Sequence, residues 1–292
     1  MQKINHKELL DAGVHFGHLK RKWNPKMAPN IFMEKKGIHI IDLYKTGDAM
    51  EAAANAMANI AKSGRKILYI ATKKQAKDVI EKNAGDVNMP FVTERWLGGM
   101  LTNFSTIRKS IKKMQSIEKL LADPNSNTSL TKRERLTLGR EKAKMDKYLG
   151  GIASINRLPA AVFIVDIVHE HIALAEARKL NIPTFAMVDT NSDPTLVDFP
   201  IPSNDDAAKS IKVIADYLTG AIKDGLGERK KAKEAEAKPA PKKDEVDKAV
   251  EVAEKEEVAA TAEAVKEKVE GKTEAPAKTE ATAEKVEVKT DK

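Results

Sequence analysis

Two stretches of this chain carry residue types that can do chemistry. Asp166-Ile167-Val168-His169-Glu170-His171 sets two carboxylates and two imidazoles within six residues. Asp189-Thr190-Asn191-Ser192-Asp193-Pro194 is followed by Asp198 and then by Asn204-Asp205-Asp206. Carboxylates gathered with one imidazole suit a divalent cation, with His18, Asp189, Asp205 and Asp206 as the candidate ligands. His15 is the other imidazole that could serve. The first stretch lacks the His-Glu-x-x-His spacing that puts two imidazoles on one helix face, so it reads better as the cap of a following helix. Asp, Asn, Ser and Pro also build turns by local hydrogen bonds, which is the competing reading of the second stretch.

No Ser or Lys stands at a readable spacing from a base, so no nucleophile emerges. Neither Gly-x-Gly-x-x-Gly nor Gly-x-x-x-x-Gly-Lys-Ser/Thr occurs. Without those glycines the backbone cannot approach a pyrophosphate closely, which argues against a nucleotide cofactor. The chain is therefore read as a non-enzyme that requires no cofactor. The alternative is an enzyme with Asp166, His169, Asp189 and Asp193 at its crevice, and it lacks a recognisable ligand loop.

The other residues with a chemical role are cations. Lys20-Arg21-Lys22-Trp23-Asn24-Pro25-Lys26 interleaves positive charge with one aromatic ring. Lys and Arg neutralise phosphates, and a Trp can stack on an unpaired base. Trp23 as an ordinary packing residue is the alternative. Lys73 and Lys74 follow a strand and open a helix, a position from which to meet a phosphate. Arg95, Trp96 and Asn103 lie in a second mixed block that runs from Thr93 to Phe104, with Gly98-Gly99 allowing a tight turn. Arg108, Lys109, Lys112 and Lys113 lie on the next helix.

The elements that must position these residues alternate. Ile38 to Asp42 is a short apolar run. A helix rich in Ala and Met is predicted from Thr46 to Ala61, capped by Thr46 or Asp48 and stopped at Ser63-Gly64. Lys66 to Ala71 reads as a buried strand. Lys73 to Asn83 reads as an amphipathic helix with Gly85 at its C-cap. Phe91-Val92 is a short strand, Ala160 to Asp166 the clearest buried strand, Glu170 to Leu180 a helix, Pro183 to Asp189 another strand, and Asp205 to Lys223 a last helix. Continuous apolar strands separated by helices imply a parallel sheet covered on both faces. The fold class is α/β, a Rossmann-like or flavodoxin-like sheet of about five strands. Residues 1–103 and 149–226 form it. Residues 104–148 interrupt the alternation with two helical patterns about the turn cluster Asp123-Pro124-Asn125-Ser126-Asn127, an inserted α-helical hairpin. Residues 108–147 hold 12 Lys or Arg against 5 Asp or Glu.

Charge divides the chain unevenly. Of 51 Lys+Arg and 43 Asp+Glu, residues 227–292 take 16 and 18, leaving 35 and 25 for residues 1–226. The folded part is basic, which favours a polyanionic partner because each neutralised phosphate releases counterions. The tail from Gly227 has no Leu, Ile, Met, Phe, Trp or Tyr. It cannot bury enough apolar surface to offset its ordering entropy, so residues 227–292 are expected to be disordered. With no cysteine there are no disulfides and no thiolate sites, which fits a reducing cytoplasm. No apolar run is long enough to span a bilayer, and the first residues lack an apolar signal region, so no membrane partner is expected.

Four blocks carry a resemblance. Val14-His15-Phe16-Gly17-His18, Trp23-Asn24-Pro25-Lys26-Met27, Arg95-Trp96-Leu97-Gly98-Gly99-Met100-Leu101-Thr102-Asn103 and Asp189-Thr190-Asn191-Ser192-Asp193-Pro194 resemble, in order and spacing, the bacterial small-subunit (30S) ribosomal protein S-two family. The likeness runs from about Lys7 to Leu226, and the tail departs from it. It implies a Rossmann-like sheet with an inserted helical hairpin, and no catalysis. It also implies binding to small-subunit, 16S-type rRNA and to neighbouring ribosomal proteins. The family's late entry into the subunit and its part in docking the large messenger-binding protein S-one come with it. The RNA-contacting residues named above rest on charge and not on the resemblance.

Overall fold

The computed structural model describes residues 4–123 and 130–237, with side chains described through 232. Eight strands and seven α-helices lie within those residues. The first helix is α1 (His6–Asp11). It is followed by β1 (Phe16–Leu19), β2 (Ile31–Lys35), β3 (Ile38–Ile41), α2 (Leu43–Lys62), β4 (Ile67–Ile70), α3 (Lys77–Asp86) and β5 (Phe91–Val92). Then come α4 (Phe104–Ala122), α5 (Lys132–Leu149), β6 (Ala161–Val165), α6 (His171–Lys179), β7 (Thr184–Val188), β8 (Phe199–Pro202) and α7 (Ala208–Ala237).

The main sheet has five parallel strands in the order β5-β4-β6-β7-β8. This is the flavodoxin-like order, in which the chain reverses its direction of travel across the sheet between β4 and β6. Every residue of β4, β6 and β7 is buried, which explains their continuous apolar runs. Alternate side chains serve two cores. Tyr69, Phe163, Val165, Phe185 and Met187 pack with residues of α1, α2, α3 and α7. Leu68, Ile70, Val162, Ile164, Ala186 and Val188 pack instead with Trp96, Leu101, the base of α4 and α5, and α6. Full burial of a side chain such as Phe163 contributes about 1.5–3 kcal/mol.

Several boundaries depart from the sequence expectation. The Ile38 run does not join the parallel sheet. It is the centre of a separate antiparallel sheet, β1-β3-β2. Helix α2 begins three residues before Thr46, because Asp42 caps it by accepting the Tyr44 N–H at 3.0 Å. Thr46 turns inward and donates to the Pro202 carbonyl at 2.6 Å. Lys73 to Ala76 form a turn, so α3 starts at Lys77, and Gly85 lies inside it. Strand β8 escaped sequence reading because Pro200 and Pro202 break a strand pattern. They are tolerated because β8 is the edge of its sheet.

Helix α7 runs through to Ala237, so the expected disorder from Gly227 is wrong for residues 227–237. Its Ala, Glu and Lys residues propagate a helix already anchored by Ile211, Ile214, Leu218 and Ile222 in the core. The rest of that expected tail, and most of the turn cluster at Asp123 to Asn127, lie outside the described residues. Phe104 at the start of α4 and Tyr148 and Leu149 at the end of α5 pack against the same core cluster. The two helices run side by side, linked by Lys113–Glu141 at 2.5 Å and Lys142–Glu118 at 2.8 Å. Among the described residues no helix is long and apolar enough to cross a membrane.

Candidate nucleic-acid interface and the acidic crevice

The carboxyl ends of the parallel strands form the crevice where this fold places ligands. Here they bring together Lys73 after β4, Asp166 after β6, Asp189 after β7, and Asp205 and Asp206 after β8. The Lys73 ammonium lies 2.8 Å from Asp166 Oδ2, from Asp205 Oδ1 and from Asp206 Oδ1. An ammonium has three N–H donors, and three carboxylates take them. Burial alone would lower the Lys73 pKa, but the carboxylates outweigh it, so the pKa is raised and the group stays charged. Lys73 is therefore not the phosphate contact its place in the sequence implied. Its charge is consumed inside the protein. Lys74 beside it is exposed.

Asp166 turns the chain with a φ of +68° and accepts the N–H groups of Val168 at 2.9 Å and His169 at 3.1 Å. The buried Glu170 accepts the Thr72 N–H at 3.1 Å and the Thr72 hydroxyl. His169 and His171 are exposed. The stretch was expected to cap the following helix, but Glu170 at the N-cap position makes no side-chain capping hydrogen bond, and Asp166 organises the turn that precedes the helix.

His18 is delivered by the N-terminal block. Gly17 makes this geometry possible. A Cβ there would sit 2.6 Å from Thr190 Cγ2 and 3.0 Å from the His39 carbonyl. The His18 N–H donates to Thr190 Oγ1 at 2.8 Å, and its ring Nδ1 lies 2.9 Å from Asp189 Oδ2. That hydrogen bond raises the His18 pKa. One ligand atom each from His18, Asp189 and Asp205 lie within 4.8 Å of one another. Asp205 is fully buried, and its Oδ2 has no hydrogen-bond partner among the described residues. Burial, then the charges of Asp166 and Asp189, push its carboxyl up to about 7 against the pull of Lys73. Asp206 stands outside the trio. Its Oδ1 is held by Lys73, and its Oδ2 lies 3.4 Å from His18 Nε2.

The Arg95–Asn103 block is a turn wrapped around one carboxylate, Glu176 of α6. Glu176 Oε1 accepts the Trp96 indole N–H at 3.1 Å and the Gly99 N–H at 2.7 Å. Its Oε2 accepts the N–H groups of Leu101 and Thr102 at 3.0 Å each and the Thr102 hydroxyl at 3.1 Å. Burial would raise the Glu176 pKa, but these hydrogen bonds hold it below the usual carboxylate range. Trp96 is only 7% exposed and its N–H is spent on Glu176, so it cannot stack on an RNA base. Arg95 and Asn103 are exposed on the same turn. Glu176 was not singled out in the sequence. A Glu on the buried stripe of a short helix was the one signal available.

The remaining cations lie at the surface. Lys20 pairs with Glu34 at 2.7 Å and Lys26 with Asp193 at 2.6 Å, while Arg21 and Lys22 are exposed. The Trp23 ring packs on His39 with centroids 5.3 Å apart and stays 37% exposed, so one face is available. On α4, Arg108 reaches Asn156 at 3.3 Å and Lys113 pairs with Glu141, while Lys109 and Lys112 are exposed with no ion pair among the described residues. Arg133, Arg140 and Lys144 add a second exposed line on α5, at i, i+7 and i+11. The irregular apolar pattern of α5 concealed that face in the sequence.

Comparison with known proteins places these features in a family. The family profile described as Ribosomal protein S2 matches residues 9–225. A relative from Cytophaga hutchinsonii, named small ribosomal subunit protein uS2, is 61% identical over 233 residues, covering 80% of this chain and 91% of its own. The protein of the same name from Flavobacterium johnsoniae is 61% identical over 235 residues, covering 80% and 92%. That from Phocaeicola vulgatus is 58% identical over 245 residues, covering 83% and 88%.

Proposed function

The chain belongs to the ribosomal protein S2 family, and from that premise we propose that it is a structural, non-catalytic constituent of the small ribosomal subunit, held there by 16S-type rRNA. The observation that carries the RNA-binding part is the distribution of charge. Arg21, Lys22, Lys74, Arg95, Lys109 and Lys112 are exposed and make no ion pair among the described residues, whereas the crevice cation, Lys73, makes three. A polyanion is the partner that such a surface fits. Neighbouring small-subunit proteins are the second class of partner. Docking of the large messenger-binding protein S-one, and late entry into the particle, rest on the family resemblance alone. The place of action on this reading is the cytoplasmic 30S subunit.

The test is sedimentation of the chain with small subunits through a sucrose gradient, followed by crosslink mapping to rRNA. The expected result is co-sedimentation that weakens steeply with salt. A chain that stays at the top of the gradient at low ionic strength contradicts the proposal.

A second reading concerns the crevice. We propose that His18, Asp189 and Asp205 hold a divalent cation. The unpartnered, fully buried Asp205 Oδ2 favours it, since a buried oxygen with no donor is costly. One imidazole and two carboxylates fit an ion such as Zn²⁺, which would act as a structural clamp between the N-terminal block and the strand ends.

A further inference from the structure

We infer that the outer face of the Arg95–Asn103 turn is a platform against which the RNA sugar-phosphate backbone packs closely, with Gly98 as the point of closest approach and Glu176 as the positioning residue that holds the platform rigid. This rests on the RNA-binding reading above and assigns it a surface.

Glycine is required by the fold at Gly99, where φ is +90° and an added Cβ would lie 3.2 Å from Asn103 Cβ. Gly98 is different. Its φ is ordinary, it is exposed, and an added Cβ would meet nothing within 4 Å. The fold would accept alanine there and lose backbone freedom in the unfolded chain by doing so. A bare backbone at the crown of an otherwise fully braced turn serves close approach from outside.

The exposed polar groups that flank it in the chain suit phosphate and sugar. Arg95 is exposed, and Arg108 and Lys109 follow within two turns of α4. Asn103 makes no capping hydrogen bond with its side chain, which leaves its amide N–H groups for a partner. Backbone positioning of RNA uses such a set of a cation, an amide and an approachable main chain. The five donors on Glu176 remove the turn's internal freedom before any partner arrives, which lowers the ordering cost of binding.

The experiment uses the full chain and small-subunit particles depleted of it. Binding is measured by competition with the wild-type chain, and the thermal midpoint of each variant is measured alongside. Gly98→Ala should melt at or slightly above the wild-type midpoint and bind about tenfold more weakly, a loss of ~1.4 kcal/mol. Arg95→Ala should do the same. Glu176→Gln should bind more weakly even at temperatures where it is fully folded. Lys109→Glu with Lys112→Glu reports on the RNA reading itself. If that pair weakens binding while Gly98→Ala and Arg95→Ala bind like wild type, the platform is wrong and the RNA reading stands. If none of them weakens binding, the RNA reading falls as well.

Discussion

Lys73 Nζ lies 2.8 Å from Asp166 Oδ2, an ion pair that crosses from the carboxyl end of β4 to that of β6. That gap is the point where strand order reverses, and in nucleotide-binding relatives of the fold it is where a ligand enters. Here a side chain of the protein fills it, and Thr72 donating to Glu170 stitches it a second time.

Removing that lysine should be expensive. Lys73→Met leaves Asp166, Asp205 and Asp206 facing one another without the ammonium that bridges all three. Breaking a buried ion pair by deleting one partner costs about 3–5 kcal/mol. Chemical denaturation should show a loss of that size at pH 7. A variant as stable as wild type would mean that the ammonium is not the neutralising charge.

Glu176 makes stability depend on pH in a definite direction. Its folded pKa is depressed, so its contribution is present above the unfolded value, about 4.3, and is lost as the pH falls through the lower folded value. Glu176→Gln should cost about 2–3 kcal/mol at pH 7, because an amide NH₂ then faces N–H donors. The gap between wild type and variant should narrow once the pH drops below the ordinary carboxylate range. Urea titrations over a pH series measure it, and a gap that stays constant from neutral to acid would contradict the assignment.

A divalent cation in the crevice should stabilise the fold by mass action. Zn²⁺ at a hundred times its dissociation constant should add about 2.7 kcal/mol. Titration calorimetry should show one site per chain, lost in His18→Ala. A titration without binding heat and without a rise in thermal midpoint would exclude the cation.

The paired helices should dominate the salt dependence. Lys109→Glu with Lys112→Glu removes two phosphate contacts, which should flatten the slope of log affinity against log salt by about 2. Deletion of residues 238–292 should change that slope less. Equal effects would move the binding surface away from α4 and α5.

The sequence by itself determined the class of fold and the family. Strands such as Ala161–Val165 and Thr184–Val188 are buried on both faces, so each is a continuous apolar run that can be read without neighbours. The charge of the outer cations was equally legible, because an exposed side chain needs no partner to define it. What only the tertiary structure decided was which polar groups turn inward. Lys73 and Asp205 stand 132 residues apart, and Trp96 and Glu176 stand 80 apart. A hydrogen bond formed across such a separation is fixed by how strands order in a sheet, which no local spacing records. For that reason Lys73 and Trp96 read as RNA contacts until the fold set carboxylates against both.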